Sequence, residues 1–180
     1  MKFTLLFIIT LLPSFLYAQL PGNSVQLKAN GNYISVPDAS STSLNSNMTW
    51  EFWVYNRCDN GTTAVYPITK GWCNATWSYY IELQSGQLNF QKLNPSGTGA
   101  CPNGANARYE SDADVVPFNT WTHIAIVQSG TTVQFYINGE LIASTLTAGS
   151  PFSGIKTSTR PVLIGAYQNL AGSYVAVPKA

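Results

Sequence analysis

The chain has 180 residues, of which only 9% are charged, and its formal net charge at pH 7 is +1. A surface so poor in lysine and arginine has no basic face for a phosphate backbone, which excludes the usual electrostatic footprint of a nucleic-acid-binding protein. Aromatic residues make up 13% of the chain, and this composition predicts many strands with neutral, hydrogen-bonding surfaces.

The N-terminus has the pattern of a secretory signal peptide. Lys2 precedes an apolar run from Phe3 to Leu16, which is too short to span a bilayer, and Ala18 offers a small residue before a cleavage point. Cleavage there leaves residues 19–180, which suit a single domain. No second apolar segment follows, so we expect a secreted or cell-surface protein that does not insert into a membrane.

Beyond the signal, short strand-like segments alternate with turn residues. Apolar and polar residues alternate within the segments, the period of a strand with one buried face, and Ser85-Gly86 and Asn138-Gly139 are typical two-residue hairpin turns. We therefore predict an all-β domain built as an antiparallel sandwich. The predicted strands are Thr49–Tyr55, Val65–Lys70, Tyr79–Gln84, Gln87–Leu93, Ala107–Glu110, Ala113–Val116, Thr120–Gln128, Thr132–Ile137, Glu140–Leu146 and Pro161–Ala166.

The meander from Thr120 to Leu146 carries a family resemblance. Its patterns W-x-H-x-A-I-V and V-x-F-Y-I-N-G-E-L-I-A contain Trp121, His123, Ala125, Tyr136, Asn138, Gly139 and Glu140. The opening segment Ser24–Pro37 and the segment Met48–Val54 add two further matches. In these residues the chain resembles the laminin-G-like, concanavalin A-like jelly-roll domains of secreted proteins. The resemblance covers roughly Val25 to Gly165 and implies an antiparallel two-sheet jelly roll with an opening hairpin.

The C-terminus departs from that family. After a strand like Val162–Gly165, the family continues into a final strand of the type F-x-G-x-I-D-E-V-R-I, which pairs beside the opening strands, and no such segment follows here. We favour the interpretation that the final strand is missing, which would leave an unpaired sheet edge. The alternative is that Ser173–Val177 is a shortened substitute.

Three cysteines in an exported chain leave one over after a single disulfide bond. The resemblance places the loops that contain Cys73 and Cys101 at one rim of the sandwich, so we expect these two residues to pair. A bridge between Cys58 and Cys73 is the close alternative, and three reduced thiols are the third interpretation.

The sequence contains few candidates for catalytic residues. His123 is the only histidine, and we expect its ring to be hydrogen-bonded within a packed face rather than to act as a base. No serine lies in a G-x-S-x-G turn, and the E-x-D-x-x-E pattern of related glucanases is absent. Glu51 and Glu82 each stand alone in their strands, and Glu140 lies in a turn. The protein is therefore predicted not to be an enzyme.

Two loops and their flanks supply aromatic and amide groups that suit a neutral sugar. Aromatic faces stack on apolar C–H patches, and amides bond to ring hydroxyls. Trp72 is the best candidate for an exposed platform and Trp77 is either core or surface, whereas Trp50, Trp53 and Trp121 are expected in the core. The candidate ligand-binding residues are Trp72, Asn74, Trp77, Tyr79, Asn103, Asn106, Arg108 and Tyr109.

Calcium occurs at a rim site in many such jelly rolls, bound by carboxylate and carbonyl oxygens. Asp59, Asp112 and Asp114 are the candidate ligands, although no D-x-D-x-D-G run is present. The sequence thus predicts a secreted, non-catalytic module that binds carbohydrate or a glycosylated surface, with calcium as a candidate cofactor. Two alternatives stay open: a structural or adhesion domain with protein partners, as a part of a larger cell-surface protein, and a glycoside hydrolase.

Overall fold

The computed structural model describes residues 24–27, 32–42, 46–57, 64–71, 77–97, 105–168 and 173–176. These residues form strands and one short 3-10 helix, Ser40–Thr42. None of them belongs to an apolar helix of the length needed to cross a membrane. The strands, in chain order, are β1 (Ile34–Val36), β2 (Asn47–Tyr55), β3 (Val65–Lys70), β4 (Tyr79–Gln84), β5 (Gln87–Leu93), β6 (Asn106–Glu110), β7 (Trp121–Ser129), β8 (Thr132–Ile137), β9 (Glu140–Ile142), β10 (Thr145–Gly149), β11 (Val162–Ile164), β12 (Ala166–Gln168) and β13 (Tyr174–Ala176).

The strands form two antiparallel sheets and a separate hairpin. The larger sheet has seven strands in the order β1-β11-β3-β4-β5-β6-β10, and the smaller sheet has four in the order β2-β7-β8-β9. β12 and β13 form a two-stranded hairpin of their own. This arrangement confirms the predicted all-β sandwich of two antiparallel sheets.

The inner faces of the two sheets enclose the hydrophobic core. Side chains alternate along each strand, so every second residue points inward, and Ile81, Phe90 and Trp50 are buried in this layer. The ring of Trp50, from the smaller sheet, lies 5.0 Å from that of Tyr79 and 4.7 Å from that of Phe90. Burial of a large apolar side chain stabilises the fold by about 1.5–3 kcal/mol. The contact between the sheets is therefore the main source of stability.

Both two-residue turns predicted from the sequence are present. Ser85 and Gly86 have φ angles of 51° and 72°, and Asn138 and Gly139 have φ angles of 52° and 84°. Two consecutive residues with positive φ are the mark of a type I′ turn, whose twist matches that of the flanking strands. The turn between β4 and β5 sets their register, because it pairs Gln84 with Gln87 and so every residue pair beyond them.

Three of the predicted strands differ from the structure. The strand predicted at Ala113–Val116 is wrong, since the segment is a turn in which Asp114 has a φ of 60° and the amide of Val116 donates to the carbonyl of the β4–β5 turn. The predicted strand Glu140–Leu146 is divided, because β9 ends at Ile142 and β10 crosses to the larger sheet to pair with β6. The predicted strand Pro161–Ala166 breaks at Gly165, whose φ is 78°.

The chain ends do not pair as the resemblance implied. Ser24–Leu27 is not in a strand, and β1 pairs with β11 at one edge of the larger sheet. β13 lies within the predicted Ser173–Val177 segment, but it pairs with β12 rather than with β1. The β12–β13 hairpin contacts β3 instead, where Thr69 Oγ1 donates to Ala166 O at 2.9 Å. The predicted signal peptide over residues 1–18 lies outside the described residues.

Candidate functional site

The outer face of the larger sheet carries a cluster of polar side chains at its centre. Because alternate residues of β4, β5 and β6 pack into the core, the residues between them point outward. Two rows of outward residues lie in register across these three strands, and one residue of β3 joins them. We call this set the outer polar cluster: Glu82, Asn89 and Glu110 in one row, Tyr80, Gln91 and Arg108 in the next, and Tyr66 of β3.

Arg108 links the two carboxylates of the cluster. Its Nε lies 2.6 Å from Glu110 Oε1, and its Nη2 lies 3.7 Å from Glu82 Oε2. Since Glu82 is on β4 and Arg108 is on β6, the side chain of Arg108 passes over β5, which lies between them. The Arg108 side chain is 30% exposed. The guanidinium is thus held at the surface of the sheet between two carboxylates.

Asn89 lies on the strand that Arg108 crosses. It is fully buried, and it stands in register between Glu82 and Glu110. Neither Nδ2 nor Oδ1 of its side chain has a hydrogen-bond partner within the described part of the chain. Buried polar groups are nearly always hydrogen-bonded, because an unpaired one costs about 1–3 kcal/mol. The amide of Asn89 therefore has hydrogen-bonding capacity that the described residues do not use.

Tyrosine rings border the cluster on the side of β3. Tyr66 OH donates to Glu82 Oε1 at 3.4 Å, and Tyr80 OH donates to Gln91 Oε1. The two tyrosine rings meet edge to face at 6.0 Å. The β12–β13 hairpin flanks this side, with the ring of Tyr167 at 4.8 Å from that of Tyr66. The cluster therefore combines amide, carboxylate, guanidinium and hydroxyl groups with an aromatic border.

Burial raises the pKa of Glu82. Removal of the carboxyl group from water is the main cause and the neighbouring Glu110 adds to it, whereas Arg108 and the hydroxyl of Tyr66 act in the opposite direction. Glu82 therefore loses its charge at a higher pH than an ordinary glutamate. Its ion pair with Arg108 weakens at that pH.

The outer face of the smaller sheet has a different character. Tyr55 of β2 and Trp121 of β7 pair edge to face at 5.6 Å, and Trp53 lies 5.3 Å from His123 on the same two strands. His123 Nε2 lies 2.9 Å from Glu51 Oε1. Tyr136 of β8 extends this surface. It pairs with Ala125 of β7, which lies two residues after His123 and therefore on the same face of the sheet. We call Trp53, Tyr55, Trp121, His123 and Tyr136 the aromatic face.

The tryptophan predictions are correct only in part. Trp50 is a core residue as predicted, but Trp53 and Trp121 are half-buried on the aromatic face, so their assignment to the core is wrong. Trp50 and Trp53 are an odd number of residues apart on one strand and therefore point to opposite sides of the sheet. His123 is hydrogen-bonded as predicted, although its partner Glu51 is an exposed residue.

The structure places the predicted ligand-binding residues in different environments. Trp77, Tyr79 and Tyr109 are buried, so they present no ring face to solvent, and the latter two belong to the core between the sheets. Asn106 is also buried. Arg108 is the one described candidate that belongs to the outer polar cluster. The remaining candidates lie outside the described residues: Trp72, Asn74 and Asn103.

The described residues do not assemble a calcium site. Asp112 and Asp114 are exposed in the turn after β6, and Asp59 lies outside the described ranges. Within those ranges, no three side chains of His, Cys, Asp or Glu lie close enough to hold a metal ion together. Calcium requires several oxygen ligands, and the described residues do not bring such a set of acidic side chains together. The predicted disulfide is not tested, since Cys58, Cys73 and Cys101 are all outside the described residues.

The sequence-based prediction of binding residues does not include Asn89, Gln91 or Glu110, and it treats Glu82 as an isolated carboxylate. A signal for part of the cluster was present in the sequence. A two-residue turn at Ser85-Gly86 fixes the pairing of its strands, so Glu82 must stand opposite Asn89. The pairing of β5 with β6 does not follow from the sequence in this way, because the segment between Leu93 and Asn106 is too long to fix a register.

The cluster suits recognition of hydroxyl groups better than bond cleavage. Its carboxylates and Asn89 Oδ1 accept hydrogen bonds, while the guanidinium and Asn89 Nδ2 donate them. A glycoside hydrolase requires one carboxyl group as an acid and another as a nucleophile or base, with the substrate between them. Here Arg108 occupies the space between Glu82 and Glu110 and contacts both. The geometry therefore favours binding.

Comparisons with known proteins agree with this architecture. A profile of the Concanavalin A-like lectin/glucanases superfamily matches residues 28–176, so the chain belongs to that superfamily. Among solved structures, the carbohydrate-binding module CBM40 of a Ruminococcus gnavus IT-sialidase has a TM-score of 0.56 at 12% identity, and the match covers 84% of this chain and 86% of the module. An HCR/D mutant has a TM-score of 0.54 at 15% identity, and the match covers 84% of this chain and 39% of that one. A sequence comparison with curated proteins gives no match. At these identities the structural likeness shows the fold alone.

Proposed function

We propose that this member of the Concanavalin A-like lectin/glucanases superfamily binds carbohydrate without cleaving it, and that the outer polar cluster is its binding site. One observation carries the proposal. The side-chain amide of Asn89 is fully buried and has no hydrogen-bond partner among the described residues. It lies on β5, and the guanidinium of Arg108 crosses this strand to contact the carboxylates of Glu82 and Glu110. The predicted signal peptide extends the proposal to a module that acts outside the cell, secreted or at the cell surface.

A sugar ring offers the groups that this cluster can bind. Vicinal hydroxyls are both donors and acceptors, and their spacing suits a carboxylate, a guanidinium or an amide. Asn89 would accept from one hydroxyl through Oδ1 and donate to the next through Nδ2. Arg108 and Glu110, which are both partly exposed, would bind the outer part of the ring. Access to Asn89 requires the partly exposed side chain of Arg108 to turn away from Glu82 through a change of rotamer.

A printed glycan array tests the proposal with the purified protein. Wild type should bind a defined subset of glycans, and Asn89→Val should weaken binding to the best of them at least tenfold in isothermal titration calorimetry. Tyr55→Ser, a change on the aromatic face, is the matched control and should keep the wild-type affinity. Circular dichroism establishes that both variants are folded. Wild-type affinity in Asn89→Val would contradict the assignment of the site, and a blank array would contradict the function.

The aromatic face supports a second candidate, an adhesion domain with protein partners. Tyr55 is 39% exposed and Leu141, beside Tyr136 in the sheet, is 59% exposed. Protein interfaces are enriched in aromatic side chains of this kind. A solid-phase assay on surface glycoproteins and their deglycosylated forms separates the two candidates. Adhesion through protein would survive deglycosylation and be lost in Tyr55→Ser, whereas sugar binding would show the reverse pattern.

A further inference from the structure

We infer that the outer polar cluster selects neutral sugars that present vicinal hydroxyls and rejects sugars that carry a carboxylate or a sulfate group. This ligand class rests on the proposed function and specifies it. The basis is the balance of charges around Asn89. Within the described residues, the cluster contains one guanidinium, from Arg108, and two carboxylates, from Glu82 and Glu110.

The guanidinium of the cluster is already paired on two sides. Arg108 is 2.6 Å from a carboxylate oxygen of Glu110 and 3.7 Å from one of Glu82. Arginine is the usual partner of an acidic sugar, because its planar fork binds a carboxylate through two hydrogen bonds. An incoming anion would have to displace the two glutamates from Arg108 and would then be repelled by both. The low exposure of Glu82 makes this repulsion stronger than it would be in water.

Among the described residues, the cations of neighbouring segments are bound to other partners. Lys92 lies on the same strand as Asn89, but it is fully buried on the inner side and donates to a backbone carbonyl at 2.6 Å. Lys156 donates to another backbone carbonyl at 2.7 Å, and Arg160 donates to a glutamine of β12 at 2.7 Å. By sequence, residues 72–76 and 98–104 include no charged residue. Counted over the described residues, the cluster therefore carries a net negative charge while both glutamates are ionised.

A neutral diol meets the same groups without this penalty. Its hydroxyls donate to the carboxylate of Glu110, which is partly exposed, and accept from the guanidinium of Arg108. The unpaired amide of Asn89 can then bond a third hydroxyl as donor and acceptor. A neutral ligand brings no negative charge that would compete with the two glutamates for Arg108 or be repelled by them. Charge and hydrogen-bonding capacity thus favour the same class of ligand.

The test uses matched glycans that differ only in an acidic group. On the array, and with lactose, 3′-sialyllactose and 3′-sulfolactose in titration calorimetry, the neutral member should bind at least tenfold more tightly than its acidic derivatives, about 1.4 kcal/mol. The double variant Glu82→Gln/Glu110→Gln leaves Arg108 as an unbalanced cation, so the preference should disappear or reverse. Glu51→Gln removes a carboxylate from beside the aromatic face and should leave the preference unchanged.

Each outcome is decisive. Tighter binding of neutral glycans, with the preference lost in the double variant only, supports the inference. Equal or tighter binding of acidic glycans by wild type overturns the inference and leaves the proposed function standing. A wild-type preference that persists in the folded double variant also overturns it. A blank array overturns the proposed function and this inference together. If the double variant does not fold, Glu110→Gln alone serves, since that side chain is 23% exposed.

Discussion

The two outer faces of this sandwich use polar and aromatic residues in opposite ways. On the larger sheet, polar residues such as Asn89 and Glu82 are buried, while on the smaller sheet the aromatic residues Trp53 and Tyr55 are half-buried or exposed. The long side chain of Arg108 crosses the polar residues, and the aromatic rings face outward because they occupy alternate positions of their strands. Residue type alone therefore says little about exposure, and the buried polar group is the more informative of the two exceptions.

The Arg108–Glu82 ion pair and the His123–Glu51 hydrogen bond illustrate the same difference. The side chains of Arg108 and Glu82 are 30% and 9% exposed, whereas those of His123 and Glu51 are 18% and 65% exposed. Pairs with an exposed partner contribute little, because water screens them, but loss of one partner from a buried pair leaves an uncompensated charge. The two pairs should consequently respond very differently to removal of one member.

The largest expected effect is that of Arg108→Met. It leaves the carboxylate of Glu82 buried without a cation, so the free energy of unfolding should fall by roughly 2–3 kcal/mol, less than for a fully buried pair because Arg108 is partly exposed. Glu51→Gln, the matched change on the other face, should cost less than about 1 kcal/mol. Urea unfolding of both variants measures the difference. Equal decreases in the free energy of unfolding of the two variants would show that the charged contacts of the two faces contribute equally to stability.

Lys92, on the inner side of β5, is a buried cation whose effect on stability can be compared with that of Arg108 on the outer side. Burial lowers the pKa of Lys92 to about 8. Above that pH the unfolded chain keeps the proton that the folded protein has lost, so the free energy of unfolding should rise with pH up to the ordinary lysine value. Between pH 8 and about 9.5 the rise is roughly 2 kcal/mol.

The control for this pH dependence is Lys92→Met, in which the rise should be absent. Burial raises the pKa of Tyr79 and of Tyr109, and their contribution runs in the opposite direction at higher pH. Measurements below pH 9.5 keep the two effects apart. The same slope in wild type and in Lys92→Met would contradict the assignment of the effect to Lys92.

A smaller effect of opposite sign is expected for Asn89→Val. The change replaces an unpaired buried amide with an apolar, β-branched side chain that suits a strand, so the protein should become more stable by about 1 kcal/mol. We expect the same variant to bind its glycan at least tenfold more weakly in titration calorimetry. A more stable protein that no longer binds sugar would identify Asn89 as a residue kept for function. A clear loss of stability would instead indicate that the amide is paired in the folded protein.

The smallest effect is expected on the aromatic face. Tyr55 is 39% exposed and contacts Trp121 by an edge-to-face pair at 5.6 Å. Tyr55→Ser should lower the free energy of unfolding by only about 0.5 kcal/mol, since such a pair contributes little when one ring is largely in water. Thermal unfolding checks this value. A loss as large as that of Arg108→Met would mean that the aromatic face is part of the stabilising structure.

Local pattern was sufficient for the strands and for the tight turns. Alternation of apolar and polar residues identified β4, β5, β7 and β8, and the Ser85-Gly86 and Asn138-Gly139 pairs predicted two tight hairpin turns that the structure contains. Both signals depend on residues that are neighbours in the chain, through side-chain alternation and the backbone angles that a turn requires. The same local rule places Glu82 opposite Asn89, so half of the outer polar cluster was within reach of the sequence.

Only the tertiary structure decided which faces are covered and which charges meet. The segment Ala113–Val116 resembles a strand in sequence, yet it is a turn whose last residue is buried in the core. Trp53 looks like a core residue but faces outward, because the opposite side of β2 packs against the larger sheet. Arg108 reaches Glu82 only because β4, β5 and β6 are adjacent. Sheet order and burial arise from contacts between residues distant in sequence, which a local pattern does not contain.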